Sequence, residues 1–215
     1  MDKKRLSGIG DIACVASGMY FFALYVHHRD WQILLSVGGL LLAAFGIFHF
    51  IRSHSSSAIE TFGFFPVSPK CSIFLFLGAV VGIVWGVVYR RFCGQAFFPE
   101  SLSWFFPVAC LIGATEEWLY RGVVQGALRQ KVSVIGAVLL AAFFHTVYKS
   151  ALFTTWPLPV DVDLNFLALS TFIGGLVLGS LREFSGSVFP PIAAHALFDL
   201  IVYGDYVQAP WWVWS

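Results

Sequence analysis

Ionisable side chains inside apolar stretches carry the chemistry in this sequence, because each costs several kcal/mol in hydrocarbon unless it is paired or lines a wet cavity. The densest group is Ala114-Thr115-Glu116-Glu117-Trp118-Leu119-Tyr120-Arg121-Gly122. Glu117 and Arg121 are four residues apart, so on a helix they share a face and neutralise one another. Glu116 falls about 100° further round and lies outside that pair. A buried carboxylate left out of an ion pair is a candidate general base. The alternative is a polar loop, but the flanking residues 105–113 and 123–128 continue a helical pattern. His145 follows Ala141-Ala142-Phe143-Phe144, and alone it could simply hydrogen-bond a backbone carbonyl. His195 and Asp199, again four apart in an apolar run, are either reacting groups or a staple between helices. Asp11, near the start of the first apolar run, reads as an interfacial residue.

The elements that must hold these groups are membrane helices. Of 215 residues, 58% are hydrophobic and only 12% charged, too apolar for a water-soluble chain of this size. A formal net charge of +1 offers no basic field for nucleic acid. The four cysteines, Cys14, Cys71, Cys93 and Cys110, show no CxxC spacing and read as packing residues. Apolar stretches near the roughly 20-residue spanning length lie at 8–27, 31–51, 71–90, 104–128, 132–153, 164–182 and 187–206. The expected fold is therefore an all-α, polytopic bundle of about seven spans. Residues 1–215 read as one integral membrane domain, with the motif-bearing core at about 104–205.

With the N-terminus inside, the inner segments hold Lys3, Lys4, Arg5, Arg52, Lys70, Arg129, Lys131 and Arg182. The outer ones hold Arg29, Arg90, Arg91 and Lys149, so the positive-inside bias favours N-inside and C-outside. Trp211, Trp212 and Trp214 then suit the opposite interface, and the serine-rich stretch 53–57 reads as a mobile loop. Glu116 lies roughly 18 Å from either end of its span, and His195 roughly 12 Å from the inner end of its own. His145 reaches the same depth if its helix continues past Lys149, whose stem could snorkel. Gly122 with Gly126, and Gly175 with Gly179, are small-xxx-small pairs that permit close helix packing.

Several membrane-hydrolase patterns are missing. There is no HExxH and no GxSG, Glu183-Phe184-Ser185-Gly186 lacking the first glycine. Gly8-Ile9-Gly10-Asp11 spells GxGD, but no earlier span supplies a partner aspartate. What remains, in order on three helices, is Glu-Glu-x-x-x-Arg, His, and His-x-x-x-Asp. This resembles the CPBP family of glutamic intramembrane endopeptidases: CAAX prenyl proteases and bacteriocin-processing, Abi-type enzymes. Glu116, Glu117, Arg121 and Gly122 fit the first motif. In the usual Phe-x-x-x-His, Ala141 takes the phenylalanine position and His145 the histidine. In the third, commonly His-x-x-x-Asn, Asp199 replaces the asparagine.

The resemblance implies that Glu116 and His145 activate a water for attack on a peptide carbonyl. His195 and residue 199 would stabilise the oxyanion, and no cofactor or metal would be needed. An ionised Asp199 repels an oxyanion, so it is either protonated or orients His195 and favours its imidazolium, and orientation is its expected part. Glu117 and Arg121 are expected to support the site by helix positioning and charge balance. The implied partners are the bilayer and a protein or peptide with a membrane-associated segment: a prenylated C-terminus, a leader peptide or a sorting tail. The implied location is the plasma membrane, the inner one if the cell is bacterial. Two other readings stay open. One is a zinc enzyme using Glu116, His145 and His195 as ligands; the other is a non-enzymatic carrier or immunity protein in which these groups form a relay or staple.

Overall fold

The computed structural model describes residues 3–53, 58–64, 69–155 and 163–205. The tryptophans at 211, 212 and 214 and most of the serine-rich stretch 53–57 lie outside them. The first two helices, α1 (Lys3–Tyr25) and α2 (Ile33–Ser53), form a hairpin. A Cβ on Gly18 would meet the Gly39 carbonyl at 2.5 Å, so the two backbones are in direct contact. Asp11, near the start of its span, is 6% exposed and pairs with His49 Nδ1 at 2.7 Å, pinning α1 to α2.

A short helix, α3 (Ala58–Phe62), precedes α4 (Pro69–Phe92). The motif helix is continuous over 106–129 and is called α5. It runs as α-helix over Phe106–Glu117, opens into a π-helical segment at Trp118–Val124, and closes as α-helix over Gln125–Arg129. Ser133 caps α6 (Val134–Thr154) through the Gly136 amide, and Asp163 caps α7 (Leu164–Ser185) through those of Asn165 and Phe166. Gly186, at φ +70°, ends α7 in the left-handed conformation that favours glycine. The chain then turns at once into α8 (Phe189–Tyr203), whose Pro190 and Pro191 sit in the first turn, where no amide donor is missed.

Five of these helices are long and apolar enough to cross a membrane: Gly8–Tyr25, Ile33–Ser53, Cys71–Phe92, Val134–Thr154 and Leu164–Ser185. With α5 and the shorter apolar α8, they account for the seven expected spans. Large apolar side chains such as Leu34, Phe45, Phe48, Ile73, Phe76 and Leu111 face outward, as lipid requires and water forbids. The chain is an all-helical, multi-pass membrane protein.

Helix ends meet at alternate faces. At one face, Arg182 donates to the Thr61 carbonyl, Gln130 to the Thr61 hydroxyl, and the Val188 amide to the Gly63 carbonyl. At the other, the Ser103 amide donates to the Gly204 carbonyl and Arg90 clips the end of α8. Arg90 donates to both carboxylate oxygens of Asp205, at 3.0 and 2.9 Å, and also to the carbonyls of Ala96 and Ile201. These bonds hold the Asp205 carboxyl below its ordinary value of 3.8. A carboxyl depressed in the folded state stabilises at neutral pH, and that contribution is lost as pH falls below the ordinary value. Asp205→Ala should therefore cost about 1–2 kcal/mol at pH 7. In detergent melts, the gap from the native protein should narrow as the pH is taken below 3.8.

Candidate active site

The site is assembled where α5, α6 and α8 are allowed to touch. On α5, Gly113 leaves the space that Asp199 and His195 of α8 enter; a Cβ there would strike the Asp199 carboxylate and sit 3.0 Å from His195 Cδ2. On α4, a Cβ at Gly82 would collide with the Ala194 carbonyl, next to His195. This α4–α8 seam was not foreseen, and it sets how deep His195 sits. Gly82→Val should force α8 outward, costing about 1–3 kcal/mol and misplacing His195. Thermal unfolding checks the first effect; a crosslink between cysteines on α4 and α8 checks the second.

Glu116, Glu117, Arg121, His145, His195 and Asp199 are brought together, each buried. Glu117 and Arg121 form the expected pair at 3.0 Å, both with no exposed surface. Arg121 has a second task, because its Nη1 donates to His145 Nδ1 at 2.7 Å. A guanidinium only donates, so Nδ1 must accept and the ring proton of a neutral His145 resides on Nε2. That Nε2 lies 3.2 Å from Glu116 Oε2. Tyr120 stacks on the His145 ring at 4.5 Å between centroids and holds its plane.

Two expectations are corrected by this geometry. Glu116 is not left without a partner: besides His145, Lys149 Nζ sits 2.9 Å from its Oε1. Helix α6 does continue past Lys149, but the side chain turns inward to the carboxylate instead of snorkelling outward. Orientation of His195, assigned above to Asp199, falls to Glu117, which accepts from Nδ1 at 2.7 Å. Asp199 Oδ1 is 3.8 Å from His195 Nε2, too far for a hydrogen bond. His195 Nε2 lies at the same distance, 3.8 Å, from Glu116 Oε2.

A cavity of about 80 Å³ opens onto this cluster between α4, α7 and α8. Arg121, His145, Lys149, His195 and Asp199 form its polar end. Trp85, Tyr89, Val177 and Phe198 supply apolar wall. Across it, Trp85 Nε1 donates to Ser170 Oγ at 3.2 Å, joining α4 to α7.

Residues 98–201 match the family of Type II CAAX prenyl endopeptidase, Rce1-like proteins. The segment that carries the site belongs to the CPBP/CAAX protease family. Together with the helices that cross the membrane, this makes the chain a membrane-embedded peptidase. A comparison with curated proteins yields no match. The matched CAAX protease segment contains α5 and α6, α7 and all but the last turn of α8, so every group of the buried cluster falls inside it.

Sequence reasoning placed Lys149 at the outer interface and passed over Gln125. Gln125, fully buried, donates to the Gly179 carbonyl and to Glu183 Oε1. Lys149 follows His145 by one helical turn, and that spacing could have drawn attention to it. The small-residue pairs also prove to have different occupants. Gly175 and Gly179 seat α6 through Ala142 and Val138, as helix-packing residues should. Gly122 and Gly126 instead receive Phe62 and Thr61 of α3, which does not span.

Proposed function

We propose that this CAAX-family peptidase cleaves a peptide bond in a membrane-associated substrate with a water activated by Glu116, without a metal. The observation that carries the reading is the contact chain Arg121–His145–Glu116–Lys149, of which Arg121, His145 and Lys149 line an apolar-walled cavity. Glu116 accepts the proton of the attacking water. His145 stays neutral because Arg121 occupies Nδ1, and its Nε2–H holds the carboxylate and the water in register. His195, oriented by Glu117, presents Nε2 toward the oxyanion.

Charge balance supports that role for His195. Three buried carboxylates, Glu116, Glu117 and Asp199, face two fixed cations, Arg121 and Lys149. One further proton brings the cluster to neutrality, which a low-dielectric interior favours. Placed on His195 Nε2, it supplies a charged donor to the oxyanion.

The zinc reading is disfavoured by the same groups. A guanidinium lies on His145 Nδ1 and an ammonium on Glu116 Oε1, so a dication would meet two cations among its would-be ligands. Among the described residues, no three His, Cys, Asp or Glu are arranged to hold a metal ion.

The apolar wall suits a substrate segment that stays in contact with lipid, and the family description suggests a prenylated C-terminal peptide as the first probe. Purified protein in bicelles should cut a farnesylated CAAX-type peptide at one bond, located by mass spectrometry, and should do so undiminished after chelator treatment. Loss of cleavage on chelation, restored by zinc, would overturn the metal-free mechanism.

A further inference from the structure

Resting on the peptidase reading, we propose that Lys149 is a further catalytic residue, whose ammonium donates to the oxyanion that forms on the substrate carbonyl. Residue 199, while ionised, has no proton to give to that place. Its nearest basic atom, His195 Nε2, is 3.8 Å away, so no hydrogen bond converts it into part of a donor system.

The other cation on the cavity wall has Nη1 in use, while its buried Nε and Nη2 make no hydrogen bond among the described residues. Arg121 spends Nη1 on Glu117 and His145, and its Nη2 is turned toward α7, where a Cβ on Gly175 would lie 3.2 Å from it. Lys149 stands one turn beyond His145 on the same face of α6, lines the cavity and keeps 14% of its side chain exposed. Among the described residues it makes one hydrogen bond, to Glu116 Oε1, which uses one of three ammonium hydrogens and places the charge beside the point of water activation.

The water oxygen bonds to the carbonyl carbon, its proton passes to Glu116, and the carbonyl π pair moves onto oxygen between Lys149 and His195 Nε2. Collapse re-forms the C=O bond, breaks the C–N bond, and Glu116 returns its proton to the departing amine.

The test uses the full chain in bicelles with the farnesylated CAAX-type peptide. Lys149→Met should lower kcat about 10²–10³-fold, the usual loss for an oxyanion donor, with KM little changed. Adding Asp199→Asn to that variant should recover activity at least tenfold (roughly 1.4 kcal/mol of barrier), because the amide brings a donor to the vacated region and removes the excess negative charge. A lysine that only steadies Glu116 predicts no such recovery, and that result would overturn the proposal. If Lys149→Met does not fold, Lys149→Arg decides: it keeps the ion pair but moves the donor, so kcat should fall about tenfold and unchanged turnover counts against the idea. Lys149→Met as active as the native chain, beside an inert Glu116→Gln, sinks this inference alone. Cleavage by Glu116→Gln, or none by the native chain, removes the peptidase mechanism beneath it.

Discussion

Glu116→Gln should leave a folded protein whose turnover is about 10²–10⁴-fold lower, the range a positioned general base contributes. The amide preserves shape and one acceptor, so Lys149 keeps a partner where Oε1 stood. It cannot take a proton from water. It also places an N–H opposite the Nε2–H of His145, so one hydrogen bond is lost at a cost of about 1–3 kcal/mol. Circular dichroism and a thermal melt would register that modest loss, while the peptide assay registers the large one. An enzyme that keeps its activity with glutamine at 116 refutes the assignment.

Arg121→Ala carries the largest expected effect on stability. The guanidinium is fully buried and serves two partners at once, Glu117 at 3.0 Å and His145 at 2.7 Å. Its removal breaks a buried ion pair and leaves the cluster one negative charge in excess, although His195 still donates to Glu117; breaking such a pair typically costs about 3–5 kcal/mol. Expression and melting temperature in detergent should both fall. Pairing the change with Glu117→Gln should restore part of the loss, since the uncompensated charge goes with it. Arg121→Lys is not a mild alternative, because an ammonium on a different stem does not reproduce the placement of Nη1 between Glu117 and His145. A fully stable but inactive Arg121→Ala would move Arg121 from support into the chemistry.

What could be read from the sequence was what is local in the chain. Helix number and placement followed from hydrophobic runs set against hydrocarbon thickness, and the Glu117–Arg121 pair from a four-residue spacing. The three polar groups on α5, α6 and α8 were legible because ionisable residues are so rarely tolerated there. What escaped depends on contacts between distant positions. Lys149 meets Glu116 from 33 residues away on another helix, so its positive charge looked like one more interfacial lysine. The exchange of roles between Glu117 and Asp199 toward His195 turns on side-chain direction, which spacing does not encode. The π-helical turn at Trp118–Val124 has no compositional signature, although such segments recur at functional sites. Gly122 and Gly126 announce that something comes close, not that it is the short helix α3.

The cavity wall on α4 separates two properties that usually evolve together. Val81, Gly82, Trp85 and Tyr89 line the space in front of the reacting groups, yet all four precede the family-matched segment, which begins at residue 98. Under the proposed function, the groups that would cut and this part of the wall that would meet the substrate are thus on different stretches of sequence, while Leu167, Val177 and Phe198 of the same wall lie within the matched one. Substitutions along the lipid-to-cavity stripe of α4 can retune substrate choice while the proton-handling groups keep their contacts. A lineage of such proteins could diversify its substrates by drift in one helix and leave the chemistry untouched.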